Sequence, residues 1–415
     1  MTTSLIRGSV RRFAVIAVVG LAALSACGDD DAGPPVAERP AAPPSVTTPS
    51  AGATVDTLPE VVPRRAHQRF AAVAPLRGMP PIASKSNLYA DAGRNMLSGA
   101  ARKALYRIYV PNSGGSSVAV INPHTMRVVR VIQVGSNPQH VVPSYDLKRL
   151  YVTNDLANSL TPINPRTARR AGPDIPVDDP YNMYFTPDGK DAIVVAEAQQ
   201  HLDFRDVHTF KLRDRVSVNC PGVDHIDFSA NGGYLIATCE FSGRLVKVNL
   251  HTHKVVGYLR LQNSSPQDIK LDPRGRVFYV ADKYRGGVWL IRASTFKVMR
   301  FIHTGNDAHG LYPSRDARFL YVTNRGSGSV SVINFRTRHK VKTWLIPGGG
   351  TPDMGNTSPN GKVLWLSGRY SSMVYALSTR TGHVIARIPV GLQPHGLCVW
   401  PQPGRYSLGH TGVMR

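Results

Sequence analysis

The tetrapeptide Tyr-Val-Thr-Asn stands at residues 151–154 and again, unchanged, at residues 321–324. The hydrophobic residue that opens this pattern recurs along the chain, and its seven positions are Tyr109, Tyr151, Ile193, Ile236, Tyr279, Tyr321 and Trp365. By subtraction, the successive spacings are 42, 42, 43, 43, 42 and 44 residues. A repeat of this length is typical of propellers, in which each repeat forms one blade of four strands. The chain is therefore predicted to fold as a seven-bladed β-propeller.

Within each repeat, turn residues separate short runs that favour strands. An apolar run ends in a turn such as Pro187-Asp188-Gly189, the strand with the tetrapeptide follows, and a polar loop leads to an alternating strand such as 330–333. Apolar alternation and frequent turn residues favour strands, and helical spacing is not sustained after about residue 105. We name the four strands of a repeat a, b, c and d, and expect an all-β fold with four antiparallel strands in each blade.

The two ends of the repeat region predict how the ring closes. The region begins with a b strand at residues 105–111 and ends with an a strand at residues 395–400. An open ring would leave two exposed sheet edges. We therefore expect the C-terminal strand to pair with the first b strand and to complete the first blade.

These motifs resemble those of the YVTN-repeat seven-bladed β-propellers, a family of bacterial envelope and secreted proteins. The resemblance covers residues 105 to about 402 and rests on two perfect tetrapeptides and five degenerate ones. It implies the propeller fold and an exported protein. Proteins of this architecture include binding proteins, lactone-hydrolysing enzymes and redox enzymes, so the resemblance does not decide the activity.

The first 26 residues are predicted to be a lipoprotein signal peptide. Arg7, Arg11 and Arg12 precede an apolar run at residues 13–24, which is too short to span a bilayer comfortably, and small residues precede Cys27. This arrangement resembles a bacterial lipobox with Cys27 as the lipidated residue. We expect an exported chain that is anchored by lipid to the extracytoplasmic face of a bacterial membrane. The alternative is an ordinary cleaved signal peptide followed by an incidental cysteine.

Composition predicts the remaining boundaries. Residues 27–85 contain the lipidated Cys27 and a segment rich in proline and alanine, which is too poor in apolar side chains to order itself and is predicted to be a tether. Residues 86–104 form a short lead-in segment with at most one short helix, residues 105–402 form the propeller, and residues 403–415 form a C-terminal tail.

Three cysteines remain once Cys27 is assigned to the lipid anchor. Cys220 and Cys239 are expected near the same mouth of the ring, so they are the candidate disulfide in an oxidising compartment. Cys398 is expected to be a buried free thiol on an inner strand. A metal site of cysteine and histidine is the weaker alternative, because no Cys-x-x-Cys pair is present.

The chain is strongly basic, with 50 lysines and arginines against 27 acidic residues and a formal charge of +23. Many of the basic residues fall on the outer strands c and d, for example Arg336, Arg338, Lys340 and Lys342. Such a basic rim would attract anionic lipids, cell-wall polymers or nucleic acid without sequence specificity. The alternative is that these charges only protect the outer strand of each blade from pairing with another molecule.

The starts of the a strands carry the candidate ligands of the channel mouth, which are His140, His225, Asp268, His309, Asp353 and His395. Imidazoles and carboxylates that converge on one opening are suited to a metal ion or a small polar ligand. The alternative is that these side chains bind backbone groups of the neighbouring loops.

A charged rim follows the tetrapeptide position in the same repeats. Blades two to four carry Asp155, Glu197 and Glu240 there, and blades five to seven carry Lys283, Arg325 and Arg369. This segregation would suit a zwitterionic or elongated polar ligand, or a protein partner of complementary charge. The alternative is a chance distribution of solvated loop residues.

The function predicted from these features is that of a monomeric, membrane-tethered binding or scaffold protein that uses the polar mouth and the basic rim. The alternative is a lactonase-type or lyase-type enzyme with a channel histidine as base and a metal ion or an arginine as electrophile. The sequence contains no Gly-x-Ser-x-Gly motif and no zinc-protease motif. The chain also resembles copper-dependent propeller reductases, but it lacks their dense histidine clusters, so this resemblance carries less weight.

Overall fold

A computed structural model describes residues 73–415. The predicted signal peptide, Cys27 and the tether up to residue 72 lie outside the described residues. The described part contains seven sheets and two single-turn 3-10 helices, Ala90–Ala92 and Ala101–Lys103. Among these residues, no helix has the length and apolar character that crossing a membrane requires.

Each sheet is one blade of four main strands in antiparallel order. Blades one to three contain β1 (Arg107–Asn112), β2 (Ser117–Asn122), β3 (Arg127–Gln133), β4 (Pro138–Pro143), β5 (Leu150–Asn154), β6 (Ser159–Asn164), β7 (Arg169–Arg170), β8 (Ile175–Pro176), β9 (Pro180–Phe185), β10 (Asp191–Ala196), β11 (His201–Asp206) and β12 (Leu212–Ser217). Blades four and five contain β13 (Val223–Phe228), β14 (Tyr234–Cys239), β15 (Arg244–Asn249), β16 (Lys254–Arg260), β17 (Pro266–Leu271), β18 (Val277–Asp282), β19 (Gly287–Arg292) and β20 (Lys297–His303). Blades six and seven contain β21 (Ala308–Pro313), β22 (Phe319–Asn324), β23 (Ser329–Asn334), β24 (His339–Leu345), β25 (Pro352–Thr357), β26 (Val363–Gly368), β27 (Met373–Ser378) and β28 (Val384–Pro389).

The C-terminal strand β29 (Cys398–Trp400) closes the ring, as predicted. It pairs antiparallel with β1, with Ile108 opposite Val399 and Tyr109 opposite Cys398. The first blade therefore has the order β29-β1-β2-β3, and its inner strand comes from the other end of the chain. The seven-bladed, all-β prediction is confirmed.

Burial along the strands follows their distance from the ring axis. Every residue of an inner strand such as β9 or β17 is buried, whereas the outer strand β16 alternates between exposed and partly buried residues. The core lies between blades, where side chains of neighbouring sheets meet; Ile108 and Val110 of blade one, for example, join one cluster with Trp365 of blade seven. Burial of these apolar side chains between sheets stabilises the ring.

The ring has two ends, which differ in what covers them. We call the end where the a strands begin and the b strands finish the mouth, because Pro138 pairs with Asn154 there. The opposite end, with the a–b turns such as residues 144–149, is called the base. Two segments outside the repeats, residues 73–104 and 401–415, bind at the base.

Residues 73–85, which the sequence analysis assigned to the tether, are held against blade four. The Leu76 amide donates to the Asn231 carbonyl at 2.9 Å, and Asn231 donates to the Val73 carbonyl at 2.9 Å. Leu76 and Ile82 also pack against two of the apolar clusters. Composition alone missed this ordering, because the energy comes from contacts with the propeller and not from within the segment. The lead-in segment holds two 3-10 turns where at most one short helix was expected.

The segment at residues 401–415 is buried rather than free. Arg415 is 6% exposed, and its guanidinium lies 3.3 Å from the carboxylate of Asp227 and over the ring of Tyr89. The Leu408 carbonyl accepts a hydrogen bond from the Phe185 amide at 3.0 Å. The predicted C-terminal tail therefore forms part of the floor of the central channel.

Candidate metal centre

Four of the predicted histidines meet in the central channel. His140 lies on β4, His225 on β13 and His309 on β21, and His395 lies three residues before β29, so all four come from the starts of inner strands. Neighbouring imidazole centroids are 4.9 Å apart for His140 and His395, 5.8 Å for His140 and His225, 6.0 Å for His225 and His309, and 5.8 Å for His309 and His395. None of these side chains is more than 3% exposed.

A fifth histidine enters from the base. His410, in the C-terminal segment, lies with its ring centroid 5.1 Å from both His140 and His225 and is 1% exposed. The Asn182 amide group donates to His410 Nδ1 at 3.0 Å, and Asn182 Oδ1 in turn accepts from the Met183 amide. Sequence analysis does not identify this residue, because it lies outside the repeats and no register places it near the axis.

The four ring histidines share one orientation of their nitrogen atoms. His140 Nδ1 is 2.9 Å from the Tyr181 carbonyl oxygen, and His395 Nδ1 is 2.9 Å from Gln139 Oε1. Because these partners are acceptors, Nδ1 carries the proton in both imidazoles. Nδ1 of the other two rings also faces a carboxylate, 3.3 Å from Asp224 for His225 and 3.2 Å from Asp353 for His309, although neither contact makes a full hydrogen bond.

This orientation leaves Nε2 as the free lone pair of the ring histidines. The Nε2 atoms of His140 and His225 are buried without a hydrogen-bond partner among the described residues, and so is Nε2 of His410. A buried polar atom without a partner is costly, so a cluster of them is unusual in a folded protein. Metal-ligating histidines characteristically donate the other ring N–H to a carboxylate or a carbonyl oxygen, which is the arrangement found here.

The environment keeps most of these imidazoles neutral. Burial lowers the pKa of His140, His309, His395 and His410 well below the usual value for histidine, and the other positive groups in the channel act in the same direction. His225 differs: burial lowers its pKa, but the Asp224 carboxylate beside it outweighs burial and the pKa is raised. Neutral imidazole is the form that binds metal ions.

Two sets of side chains have the composition of a metal site. His140, His225 and His410 each offer one nitrogen, and these atoms lie within 4.8 Å of one another. His309, Asp353 and His395 form the second set within the same limit, and Asp353 Oδ2 is buried without a hydrogen-bond partner among the described residues. Both sets line the same stretch of channel.

One predicted ligand, Asp268, has a different role. Its carboxylate accepts from the backbone amides of Ile269 and Leu311, both at 2.8 Å, and Lys270 lies 3.9 Å away. The Asp268 carboxylate therefore forms hydrogen bonds with the backbone of two neighbouring inner strands. This agrees with the alternative that side chains at these positions bind backbone groups.

Above the histidines, Tyr181 narrows the channel from blade three. Its ring centroid lies 5.4 Å from that of His140, 6.1 Å from His225 and 6.4 Å from His395. Burial, reinforced by Glu197 and Asp224, raises the pKa of the phenol well above its usual value, so the hydroxyl stays protonated. With the C-terminal segment below and Tyr181 above, the histidines form an enclosed layer.

The charged rim is less segregated than its sequence suggests. Lys283 lies 2.7 Å from Glu240 across the boundary of blades four and five. Arg325 binds Asp307 in a bidentate pair at 2.8 and 3.0 Å and also reaches Asp353 at 3.2 Å. The positive half of the rim is thus partly neutralised by the carboxylates of Glu240, Asp307 and Asp353.

Two acidic side chains of the rim have raised pKa values. Burial first, and then the neighbouring carboxylates Asp224, Glu240, Asp155 and Asp179, raise the pKa of Glu197 to about 9. Burial and Asp179 likewise raise the pKa of Asp155 to about 7. Arg369 keeps one guanidinium nitrogen buried without a partner among the described residues, and its charge lowers the pKa of His140 and His395.

The cysteines lie where the sequence analysis placed them. Cys220 and Cys239 form a disulfide with Cα atoms 5.4 Å apart, next to the start of β13 and the end of β14. Cys398 is a buried free thiol on β29, and burial raises its pKa.

A family model for YNCE-like β-propellers matches residues 62–403. The chain belongs to this family. A comparison with curated proteins finds no match to this YNCE-like propeller.

Solved structures with the same fold come from proteins of diverse activity. The YNCE-like propeller is similar to the hydrazine synthase of Kuenenia stuttgartiensis, with a TM-score of 0.59, 18% identity, and coverage of 68% of this chain and 94% of that chain. A putative 6-phosphogluconolactonase from Bacteroides uniformis gives a TM-score of 0.58 at 18% identity, over 70% of this chain and 98% of that chain. A protein of unknown function from Desulfotomaculum acetoxidans gives 0.60 at 15% identity, over 72% and 100%. Likeness at this level of identity shows the fold alone.

Proposed function

We propose that this YNCE-like propeller is an exported binding protein whose channel histidines hold a first-row transition-metal ion. The observation that carries the proposal is the layer of five buried imidazoles, in which the Nε2 atoms of His140, His225 and His410 have no partner among the described residues. The fold alone does not require such a layer. A site whose buried nitrogens are otherwise unpaired is best explained by a ligand that pairs them.

The chemistry of the side chains selects the class of ligand. Imidazole nitrogens suit zinc, copper, nickel and iron, whereas calcium and magnesium prefer sites made of oxygen atoms. His140 Nδ1–H donates to the Tyr181 carbonyl and His395 Nδ1–H to Gln139, which fixes both rings with Nε2 available. These contacts would raise the basicity of each ring as a ligand.

His140 and His225 are the ligands that we assign with most support. His410 is held differently, because Asn182 donates to its Nδ1 and leaves a proton on Nε2. His410 therefore binds the ion only if Nε2 loses that proton or if the Asn182 amide group flips so that its oxygen atom accepts from Nδ1. Otherwise Nε2–H donates a hydrogen bond to a ligand of the ion. His309, Asp353 and His395 form a second set of donors, and the ring centroid of His395 lies 4.9 Å from that of His140.

Export and lipid anchoring are part of the same proposal. The lipobox at Cys27 supports a protein that is tethered to the extracytoplasmic face of a bacterial membrane. The pairing of Cys220 with Cys239 is consistent with an oxidising compartment, because disulfides form and persist there. The enzymatic alternative, a lactonase-type or lyase-type reaction at the same histidines, stays a prediction.

Titration of the purified, metal-free protein with Zn²⁺ and Cu²⁺ by calorimetry tests the proposal. We expect one strong site per chain, and we expect the double variant His140→Gln, His225→Gln to bind at least about 100-fold more weakly. The matched control is His124→Gln, His208→Gln, which changes two exposed histidines on the outer turns and should bind like the wild type. Equal binding by both double variants, or no strong site in the wild type, would refute the proposal.

A further inference from the structure

A cavity that is not lined by the channel histidines lies between the base ends of blades six and seven. Its volume is about 650 Å³, which is within the range of small-molecule sites. The a–b turn of blade six, strand β24 and the turns of blade seven form its walls. Six basic side chains line it, namely Arg94, Arg315, Arg318, Lys342, Lys362 and Arg380. Asp316 is the one acidic residue among its lining residues.

Most of this positive charge is not neutralised within the described part of the chain. Arg318 pairs with Asp316 at 3.1 Å. Among residues 73–415, no carboxylate forms an ion pair with Arg94, Lys342, Lys362 or Arg380, and all four side chains belong to exposed residues. Like charges that are gathered around a concave surface repel one another unless an anion binds between them.

Arg315 forms a fixed part of the cavity. Its guanidinium donates to the carbonyl oxygens of Thr357 and Ser358, which hold it between the a–b turn of blade six and the end of β25. Burial lowers its pKa to about 10, so it remains charged at neutral pH without an acidic partner among the described residues. A desolvated guanidinium that lacks a carboxylate is a strong site for an oxyanion.

The aromatic wall supplies a second and independent observation. Trp344 lines the cavity beside Tyr321, with 5.3 Å between ring centroids, and is 7% exposed. Its indole N–H is buried and has no acceptor among the described residues. An indole N–H can only donate, so the partner that it lacks is an acceptor such as an oxygen atom.

We propose that this cavity binds the phosphate group of an anionic ligand, with its oxygen atoms bound by the basic side chains and by the Trp344 N–H. Edge protection does not explain the site, because Arg94, Lys362 and Arg380 lie in turns and not on an outer strand. The phosphate can belong to a soluble oligophosphate or to the head group of an anionic phospholipid. Both present the same oxyanions.

Binding of tripolyphosphate to the purified protein, measured by calorimetry and by quenching of tryptophan fluorescence, tests the proposal. The triple variant Lys342→Glu, Lys362→Glu, Arg380→Glu should bind about 10- to 100-fold more weakly. The matched control Arg127→Glu, Lys254→Glu, Lys297→Glu makes the same charge change at the first residues of β3, β16 and β20 and should keep the affinity of the wild type. Higher salt should weaken binding.

Trp344→Phe provides a variant without a change of charge. It keeps an aromatic ring beside Tyr321 but removes the N–H, so affinity should fall about 3- to 10-fold. Unchanged affinity in this variant would overturn the placement of the ligand in this cavity. Equal losses in the triple variant and its control would show nonspecific attraction and would also overturn the proposal.

A vesicle arm distinguishes the two sources of phosphate. The protein is sedimented with phosphatidylcholine vesicles that contain or lack phosphatidylglycerol, with and without tripolyphosphate as competitor. Binding that requires phosphatidylglycerol, is lost in the triple variant and is reversed by tripolyphosphate identifies a lipid head group. Binding of tripolyphosphate alone identifies a soluble ligand, and the absence of both kinds of binding refutes the site.

Discussion

The carboxyl group of Glu197 allows the electrostatics of the channel mouth to be tested quantitatively. Glu197 follows β10 at the rim, where burial and the neighbouring carboxylates raise its pKa from 4.5 to about 9. In the folded protein it is therefore protonated at pH 7, whereas in the unfolded chain it is ionised. Folding at pH 7 thus forces the group to take up a proton, and the cost is about 1.36 kcal/mol for each pH unit above the unfolded pKa.

The expected magnitude follows from these values. Between pH 4.5 and pH 9 the folded state binds more protons than the unfolded state, so this destabilisation grows as the pH rises. It amounts to about 3 kcal/mol at pH 7 and about 1 kcal/mol at pH 5. Glu197→Gln removes the titrating group and keeps its shape, so the variant should be more stable than the wild type by up to these amounts.

Thermal unfolding with a chelator present, at pH 5 and pH 7, measures the effect. For the 343 residues from 73 to 415, an unfolding entropy of about 2.1 cal/mol/K per residue converts 3 kcal/mol into a rise in Tm of about 4 °C at pH 7. At pH 5 the rise should be about 1 °C. Asp206→Asn is a control for which the change in Tm should have the opposite sign. Backbone hydrogen bonds lower the pKa of Asp206 to about 2, so removal of this carboxylate should lower the Tm at pH 7. An equal gain for Glu197→Gln at both pH values, or a loss at pH 7, would refute the reasoning.

Three further predictions concern the base, the anchor and the pH dependence of the site. Arg415→Met leaves the buried Asp227 carboxylate without its guanidinium partner and should cost about 3 kcal/mol of stability, seen as a lower Tm. The control Arg405→Met removes a more exposed ion pair and should change the Tm little. Similar Tm values for both variants would contradict a stabilising role of Arg415 in the C-terminal segment. Cys27→Ser should release the protein from the membrane fraction or leave an unprocessed precursor, and fractionation like that of the wild type would disprove the lipoprotein prediction. Burial lowers the pKa of His225 but the Asp224 carboxylate raises it overall, whereas burial lowers the pKa of His140, so Zn²⁺ binding should weaken first as His225 takes up a proton on acidification; a Zn²⁺ affinity that stays constant between about pH 8 and pH 5 in a series of titrations would contradict the assignment of His225 as a ligand.

Periodicity predicts the fold because every blade obeys the same local rules. The spacing of the tetrapeptide positions gives seven blades, and two adjacent positions at the start of strand a carry His140, His225, His309 and His395. The repeat does not predict contacts made by residues that lie outside the repeats. His410 reaches the histidine layer through the C-terminal segment, and residues 73–85 become ordered only through their contacts with blade four.

The same limit explains why the sequence suggested no dense histidine cluster. The four ring histidines are separated by 84 to 255 residues in the chain, yet the ring places neighbouring centroids 4.9 to 6.0 Å apart. Pairing across the rim was also hidden, because Lys283 and Glu240 belong to different blades whose loops meet only in the closed ring. The register also did not reveal that the carboxylate of Asp268, a candidate ligand, accepts hydrogen bonds from two backbone amides.

The metal content of the protein tests the central claim most directly. The full chain is purified without added metal or chelator, dialysed, and analysed by inductively coupled plasma mass spectrometry together with the double variants of the channel and surface histidines. We predict close to one zinc, copper, nickel or iron ion for each chain in the wild type and in His124→Gln, His208→Gln, and almost none in His140→Gln, His225→Gln. Metal-free wild-type protein that also fails to take up any of these ions on titration, or equal metal in all three proteins, would contradict the account.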